Sequence, residues 1–384
     1  MRTGKRNILL TVMLLGLPLL QLNCSRTEPD EYTDGAVIRF DAGVDLLSRS
    51  TLNESTSFTD GQKFRVFGRR VGEGKNTNLF GDSGTVVTLD TSPDPDVWDY
   101  SPKQYWYWIT SSNYYDFLAV HGNHLLHPAT RMDIPGNLAI SKEYALADDY
   151  DLLMAGTRRR GDAAARSAKV HLEFQHMLCA VRVVVINESA GVNLTLKSLS
   201  FHNLISQAKA KVTIDALNKP EFSWIDTQRP GSKAVFTEDP MDPLVLAPGD
   251  ATWTALDPSD PGYVAPVYDL FIPADLTETN NGSPAPELED FNDDMDAYMA
   301  AAVAVLPYLE VQFQSGSDPA ETHRIPLKDI QTSRYVTDDP ITEWERGVKY
   351  TYYITVRLDG GVIVTVITTE WDAILGETPG ILIE

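Results

Sequence analysis

DLLMAGTRRR (Asp151–Arg160) leads through a charged, Ala-rich connector into VHLEFQHMLCAVRVVVIN (Val170–Asn187). In the second of these stretches Val170, Leu172, Phe174, Met177, Cys179, Val181, Val183 and Val185 recur close to every second residue, with a slip at His176. A period near two is the spacing of side chains on one face of a strand, so the stretch is predicted to be a core strand, with a bulge at the slip. It marks a seam between two β-rich halves, one before it and one after it.

The chain has 384 residues, enough for two cores or three at the usual domain size. Hydrophobic residues make up 43% of it, and its 23 Pro and 25 Gly, spread along the length, suit many short strands joined by turns. The formal net charge is −22, with no basic stripe to compensate it. That balance excludes a nucleic-acid partner, because affinity for a phosphate backbone rests on clustered Lys and Arg. Two cysteines are too few for a disulfide scaffold. Cys179 lies in the apolar run and reads as a small buried hydrophobe, which leaves Cys24 to be explained by its position.

Residues 1–23 carry Arg2, Lys5 and Arg6 and then a nearly continuous apolar run from Ile8 to Leu22, the pattern of a signal peptide. The run is roughly 15 residues, short of the ~20 that span a bilayer. The context Gln21-Leu22-Asn23-Cys24 resembles a bacterial lipobox, with Asn23 where a smaller residue is usual. Lipidation is therefore expected at Cys24, placing the chain on the cell outer membrane. Residues 24–35 have no apolar periodicity and read as a flexible, lipid-linked tether, acidic at Glu28, Asp30 and Glu31.

Ala36–Phe40 alternates as a strand, and a polar Ser/Thr-rich passage carrying Arg49 and Ser50 follows it. Asp60-Gly61 then turns the chain into an alternating strand from Phe64 to Gly68. A dense aromatic stretch comes next, with Trp98, Tyr100, Tyr105, Trp106, Tyr107, Trp108, Tyr114, Tyr115 and Phe117. The plain expectation is that these rings fill a sandwich core and its rim. The alternative is a glycan-binding surface with Trp106 and Trp108 as contacts. His121, His124 and His127 have no carboxylate or Cys at a spacing that completes a zinc site, and Gly122-Asn123 marks a turn. Arg158–Lys169 is expected to be a solvated loop, open to a trypsin-like protease at Arg158–Arg160.

Beyond the seam, Val192–Phe201 and Ala210–Ile214 alternate cleanly, as strands with one buried and one wet face do. Asn218–Pro243 reads as a long loop or a set of short edge strands, and Ala297–Val305 as a short helix that Pro307 stops. Thr351–Leu358 and Val362–Thr368, split by Asp359-Gly360-Gly361, form the clearest hairpin in the chain. Asp290, Asn292 and Asp294 imitate the start of a calcium loop, yet Met295 replaces its turn glycine and Ala301 its bidentate Glu, so no metal is assigned. No nucleophile elbow, zinc-protease helix or phosphate-cradling Gly loop occurs. The sequence predicts no enzyme and no cofactor.

The order of these pieces is more telling than any one of them. AVIRFDAG, the passage around Arg49, F-x-D-G-x-x-F-x-V-F, W-D-Y-S-P-x-x-Y-W, D-L-L-M-A, V-x-L-x-F-x-H-M-L and a closing W-E-R-G-x-x-Y-T-Y-Y-I-T-V together resemble the fimbrillin family, the type V and Mfa-like fimbrial proteins. The resemblance runs from Ala36 to Trp371. It implies an all-β chain of two tandem transthyretin-like β-sandwiches with few short helices, residues 36–167 and 168–384, the second opening on VHLEFQHML. It further implies a pilus subunit that assembles with other fimbrillin subunits by donor-strand exchange and contributes to adhesion to host or bacterial surfaces. In stalk and tip members a protease cuts after an Arg and releases the first strand. The matching position here is Arg49, which would leave Ser50 as the new N-terminus.

Overall fold

At Met177 the chain leaves one sheet and enters another. In this computed structural model Val170–His176 is one strand and Leu178–Asn187 the next, and they belong to different sheets. The slip in the alternation is therefore not a bulge within one strand but a change of parity between two. Val170, Leu172 and Phe174 face one core, whereas Cys179, Val181, Val183 and Val185 face another. Met177 between them is fully buried in a third cluster, its N–H donating to the Leu152 carbonyl at 2.8 Å.

The structure describes residues 36–44, 58, 61–72, 75–92, 96–106, 114–121, 129–134, 137–146, 151–160, 168–189, 191–247, 249, 267–273, 285–287, 290, 295–328, 330–331, 340–341, 343–357 and 362–370. In chain order the strands up to the seam are β1 (Phe40–Val44), β2 (Lys63–Gly72), β3 (Lys75–Asn78), β4 (Thr85–Asp90), β5 (Val97–Asp99), β6 (Tyr114–His121), β7 (Thr130–Ile134), β8 (Asn137–Ala145), β9 (Leu153–Arg160) and β10 (Val170–His176). Those after it are β11 (Leu178–Asn187), β12 (Leu194–Leu204), β13 (Gln207–Ile214), β14 (Pro220–Gln228), β15 (Gly231–Thr237), β16 (Val245–Leu246), β17 (Val267–Pro273), β18 (Tyr308–Ser315), β19 (Glu321–Pro326), β20 (Ile330–Gln331), β21 (Pro340–Ile341), β22 (Val348–Val356) and β23 (Val362–Glu370). The fold is all-β, with a helix at Met295–Val305.

The largest sheet runs β3-β2-β4-β5-β1-β10-β9-β6, and β6 pairs back onto β2. Its strands thus close into a ring. Inside lie Phe64, Val66, Val87, Leu89, Tyr115, Phe117, Ala119, Leu153 and Ala155, drawn from alternate positions of β2, β4, β6 and β9. The intervening positions on β2, β6 and β9, including Phe67, Leu118, Val120 and Met154, pack outward against a second sheet ordered β14-β13-β8-β7. A sandwich follows farther along the chain: β17-β11-β22-β23 faces β15-β12-β18-β19, with Val181, Val183, Leu199, Phe201, Val311, Tyr352 and Ile354 between them.

Among the described residues, three strand pairings cross residues 167 and 168. β10 pairs in parallel with β1 and antiparallel with β9, so the strand expected to open the second sandwich is a member of the first sheet. β13 pairs with β8 from Gln207↔Ala145 to Thr213↔Ala139. Where the sequence left open a long loop or edge strands, Asn218–Pro243 holds β14 and β15, each at the edge of its sheet.

Arg158–Arg160 is strand, not loop. It pairs with Tyr114–Asp116 of β6, and Arg158 stands directly across from Asp116. The Asp116 carboxylate is wholly buried, and Arg158 meets it side-on, Nε at 2.6 Å and Nη2 at 3.0 Å, while stacking over the Tyr114 ring at 3.8 Å. A buried carboxylate must be paired, and this pairing holds the arginine run in the ladder, away from a protease.

Candidate functional site

β1 fills a slot in the ring. Ile38 and Phe40 point into the ring, 0% and 1% exposed, and Ala42 packs against the same core, whereas Arg39 faces solvent. This is the period-two pattern the sequence predicts for Ala36–Phe40, with the paired strand itself placed at Phe40–Val44.

Both edges of the segment are engaged. Along one runs a parallel ladder with β10, from Phe40↔Val170 to Val44↔Phe174, preceded by a Val170 N–H donated to the Arg39 carbonyl at 2.7 Å. The other edge meets β5 at the single pair Phe40↔Trp98. It then meets Gln104–Trp106: Ile38 N–H donates to Gln104 O at 2.9 Å, and Trp106 N–H to Ala36 O at 3.0 Å. Between these contacts the Tyr100 hydroxyl donates to the Ile38 carbonyl at 2.8 Å. Burial pushes that phenol up to about 12. Its role is invisible in the sequence, where Tyr100 is one ring among many.

The aromatic stretch lies mostly inside. Trp98, Tyr100, Tyr115 and Phe117 are at most 7% exposed, and Phe40 meets Phe64, Phe80, Tyr100 and Phe117 with ring centroids 5.6–6.1 Å apart. These are edge and tilted contacts of the kind aromatic clusters favour. Trp106, named as a glycan contact, is 1% exposed and sits edge-on to Tyr115 at 4.8 Å, so it offers a sugar no face. Trp108 lies outside the described residues, as do Cys24, Arg49 and Ser50.

The histidines divide in the same way. His124 and His127 fall outside the described residues. His121 places Nδ1 2.6 Å from the Lys63 carbonyl and packs edge-on to Phe58 and Phe174, and burial lowers its pKa. His176 is buried with Nδ1 2.8 Å from Asp151 Oδ2. Among the described residues no group of His, Cys, Asp and Glu could hold a metal ion.

A family model described as fimbrillin-like matches residues 48–238. The chain belongs to the fimbrillin-like family. As a fimbrillin-like protein it is not an enzyme. None of the curated proteins matches it. Among solved structures, a candidate cell adhesion protein from Bacteroides uniformis is 12% identical, covering 88% of this chain and 99% of its own at a TM-score of 0.45. A second, from Parabacteroides distasonis, is 8% identical over 89% of this chain and 98% of its own at 0.48. The tip fimbrial protein Mfa3 from Porphyromonas gingivalis, truncated at its C-terminus, is 9% identical over 81% and 95% at 0.35.

Proposed function

We propose that this fimbrillin-like chain is a fimbrial subunit, carried to the cell surface as a lipoprotein and joined to neighbouring subunits by exchange of its first strand. The observation that supports this reading is the position of Ala36–Val44. A strand from the start of the chain closes a ring built by later residues, and the sequence beyond it reaches an arginine, Arg49, within a few residues. Release of that strand leaves backbone donors and acceptors of Val170–Phe174 and Gln104–Trp106 unpaired beside an apolar slot. An extended segment from another chain restores the hydrogen bonds and the burial together.

In this reading Cys24 carries the lipid that holds the chain at the outer membrane, with residues 24–35 as tether. The partners are other fimbrillin subunits, and the assembled fimbrium contributes to adhesion. The division into two units is part of the proposal. The first takes β1 to β10 together with the β13–β14 hairpin, and the second begins at β11, so the boundary follows the parity change at Met177.

The test is a gel of surface-extracted material. A heat-resistant ladder that depends on protease treatment, and that disappears in the Arg49→Ala variant, is the expected result. Monomers throughout in the unaltered protein would contradict it.

A further inference from the structure

We infer that the slot held by β1 selects its occupant at one position, and that the matching partner is an extended segment of another subunit carrying the pattern aliphatic-x-aromatic-x-small, its ring in the place of Phe40. The inference rests on the strand-exchange reading above and names the kind of partner it requires.

Most of what holds β1 ignores sequence. The ladder to β10, the hydrogen bonds at Arg39, Ile38 and Ala36, and the Tyr100 hydroxyl on the Ile38 carbonyl all engage backbone atoms, which any extended segment supplies. The outward positions face solvent. Arg39 is exposed, and Asp41 meets His171 only at 3.3 Å with both side chains more than half exposed. Discrimination therefore falls to the inward row.

Within that row Phe40 has the most specific surroundings. Four rings converge on it, those of Phe64, Phe80, Tyr100 and Phe117. The chain is built to keep Phe80 there: a Cβ at Gly68 would stand 2.8 Å from the Phe80 ring, so Gly68 is what lets that ring lie over the slot. A strand offering a small side chain here leaves a void bounded by four aromatics, which costs both the lost contacts and the cavity. Ile38 asks only for an aliphatic residue, and Ala42 marks the small one.

This chain's own segment Gly376–Glu384, GETPGILIE, has aliphatic residues at Ile381, Leu382 and Ile383 and no ring. Its sequence offers no aromatic residue for the selective position. A second copy offering that segment is thus a poor match, and a different subunit with an aromatic residue is the good one.

The experiment uses the full chain with a site-specific protease sequence in place of residues 47–51, cut there so that both fragments remain together. Three labelled nine-residue peptides compete for the slot: the sequence Ala36–Val44, the same with Phe40→Ala, and Gly376–Glu384. The first should bind at least about 100-fold more tightly than the second or the third. Phe80→Ala in the protein should lower affinity for the first peptide roughly tenfold and leave the alanine peptide unchanged. If the alanine or the Gly376–Glu384 peptide binds within threefold of the first, selection at Phe40 is overturned while strand exchange stands. If no peptide enters, the Ala36–Val44 sequence included, both are overturned.

Discussion

Each half of this molecule contains a parallel pair of strands, and the two pairs are secured in opposite ways. In the second sandwich β11 and β22 run together from Ala180↔Lys349 to Asn187↔Val356, with β17 on one flank and β23 on the other. The approach to β22 is locked as well. Trp344 Nε1 donates to the Tyr352 hydroxyl at 2.8 Å, Glu345 N–H to the Tyr350 hydroxyl at 2.7 Å, and Gly347 N–H to the Leu178 carbonyl at 2.9 Å. In the ring, β1 and β10 share the stretch Phe40–Val44, and among the described residues the ladders that join the pair to the rest are short: one residue pair to β5, beyond which Ile38 and Ala36 hydrogen-bond Gln104 and Trp106, and two, Gln175↔Met154 and His176↔Leu153, to β9. The same backbone geometry is flanked by long ladders in one place and by short ones in the other. The difference lies in the neighbours and in chain continuity, not in the ladder itself.

If that contrast is right, substitutions should divide along it. Phe40→Ala should cost about 3–5 kcal/mol, the usual penalty for emptying a buried aromatic site. The loss should appear in unfolding of the ring alone, read by chemical denaturation with probes in each half; equal loss in both halves would break the comparison.

Alkaline pH should reach the ring through Tyr100. Its folded-state pKa is raised by burial from 10 to about 12, so the neutral phenol favours the folded form. Its contribution is complete below about pH 10 and is lost as pH climbs through about 12. Tyrosinate absorbance at Tyr100, isolated by comparison with Tyr100→Phe, should rise together with release of the first strand.

Tyr352→Phe should have a smaller effect, about 1–2 kcal/mol, confined to the second sandwich, because the buried Trp344 N–H loses its acceptor. His171→Ala should leave the midpoint unmoved, since its contact with Asp41 is solvent-exposed on both sides. A clear shift there would mean that the outer row of β1 matters more than its inner one.

How much of this was legible in the chain depends on whether the cause lies close in sequence. Alternation in Ala36–Phe40, in Ala210–Ile214 and in the β22–β23 hairpin points to strands because each side chain's burial follows from its own position. The helix expected at Ala297–Val305 occurs at Met295–Val305. Alternation reports that a face is buried but not against what. By sequence alone Val170–Phe174 and Leu178–Asn187 therefore resemble one strand, and the parity change at Met177 resembles a bulge. Arg158 read as loop because the carboxylate that holds it in the sheet, Asp116, is brought opposite it only by folding. Trp106 lies in the core, as the plain reading expects, and the alternative of an available ring fails because Tyr115 and Phe117, which cover it, reach it only by folding. The Phe40 pocket draws on β2, β6 and the segments around Phe80 and Tyr100, and no local pattern announces that they converge.

The most direct test of the proposed strand exchange is the N-terminal residue of subunits taken from assembled surface polymer. Cleavage after Arg49 with strand exchange gives a start at Ser50, with Ala36–Val44 absent from the subunit and a neighbour's segment in its place. Polymer whose subunits begin at a lipidated Cys24, with the first strand retained throughout, would contradict it.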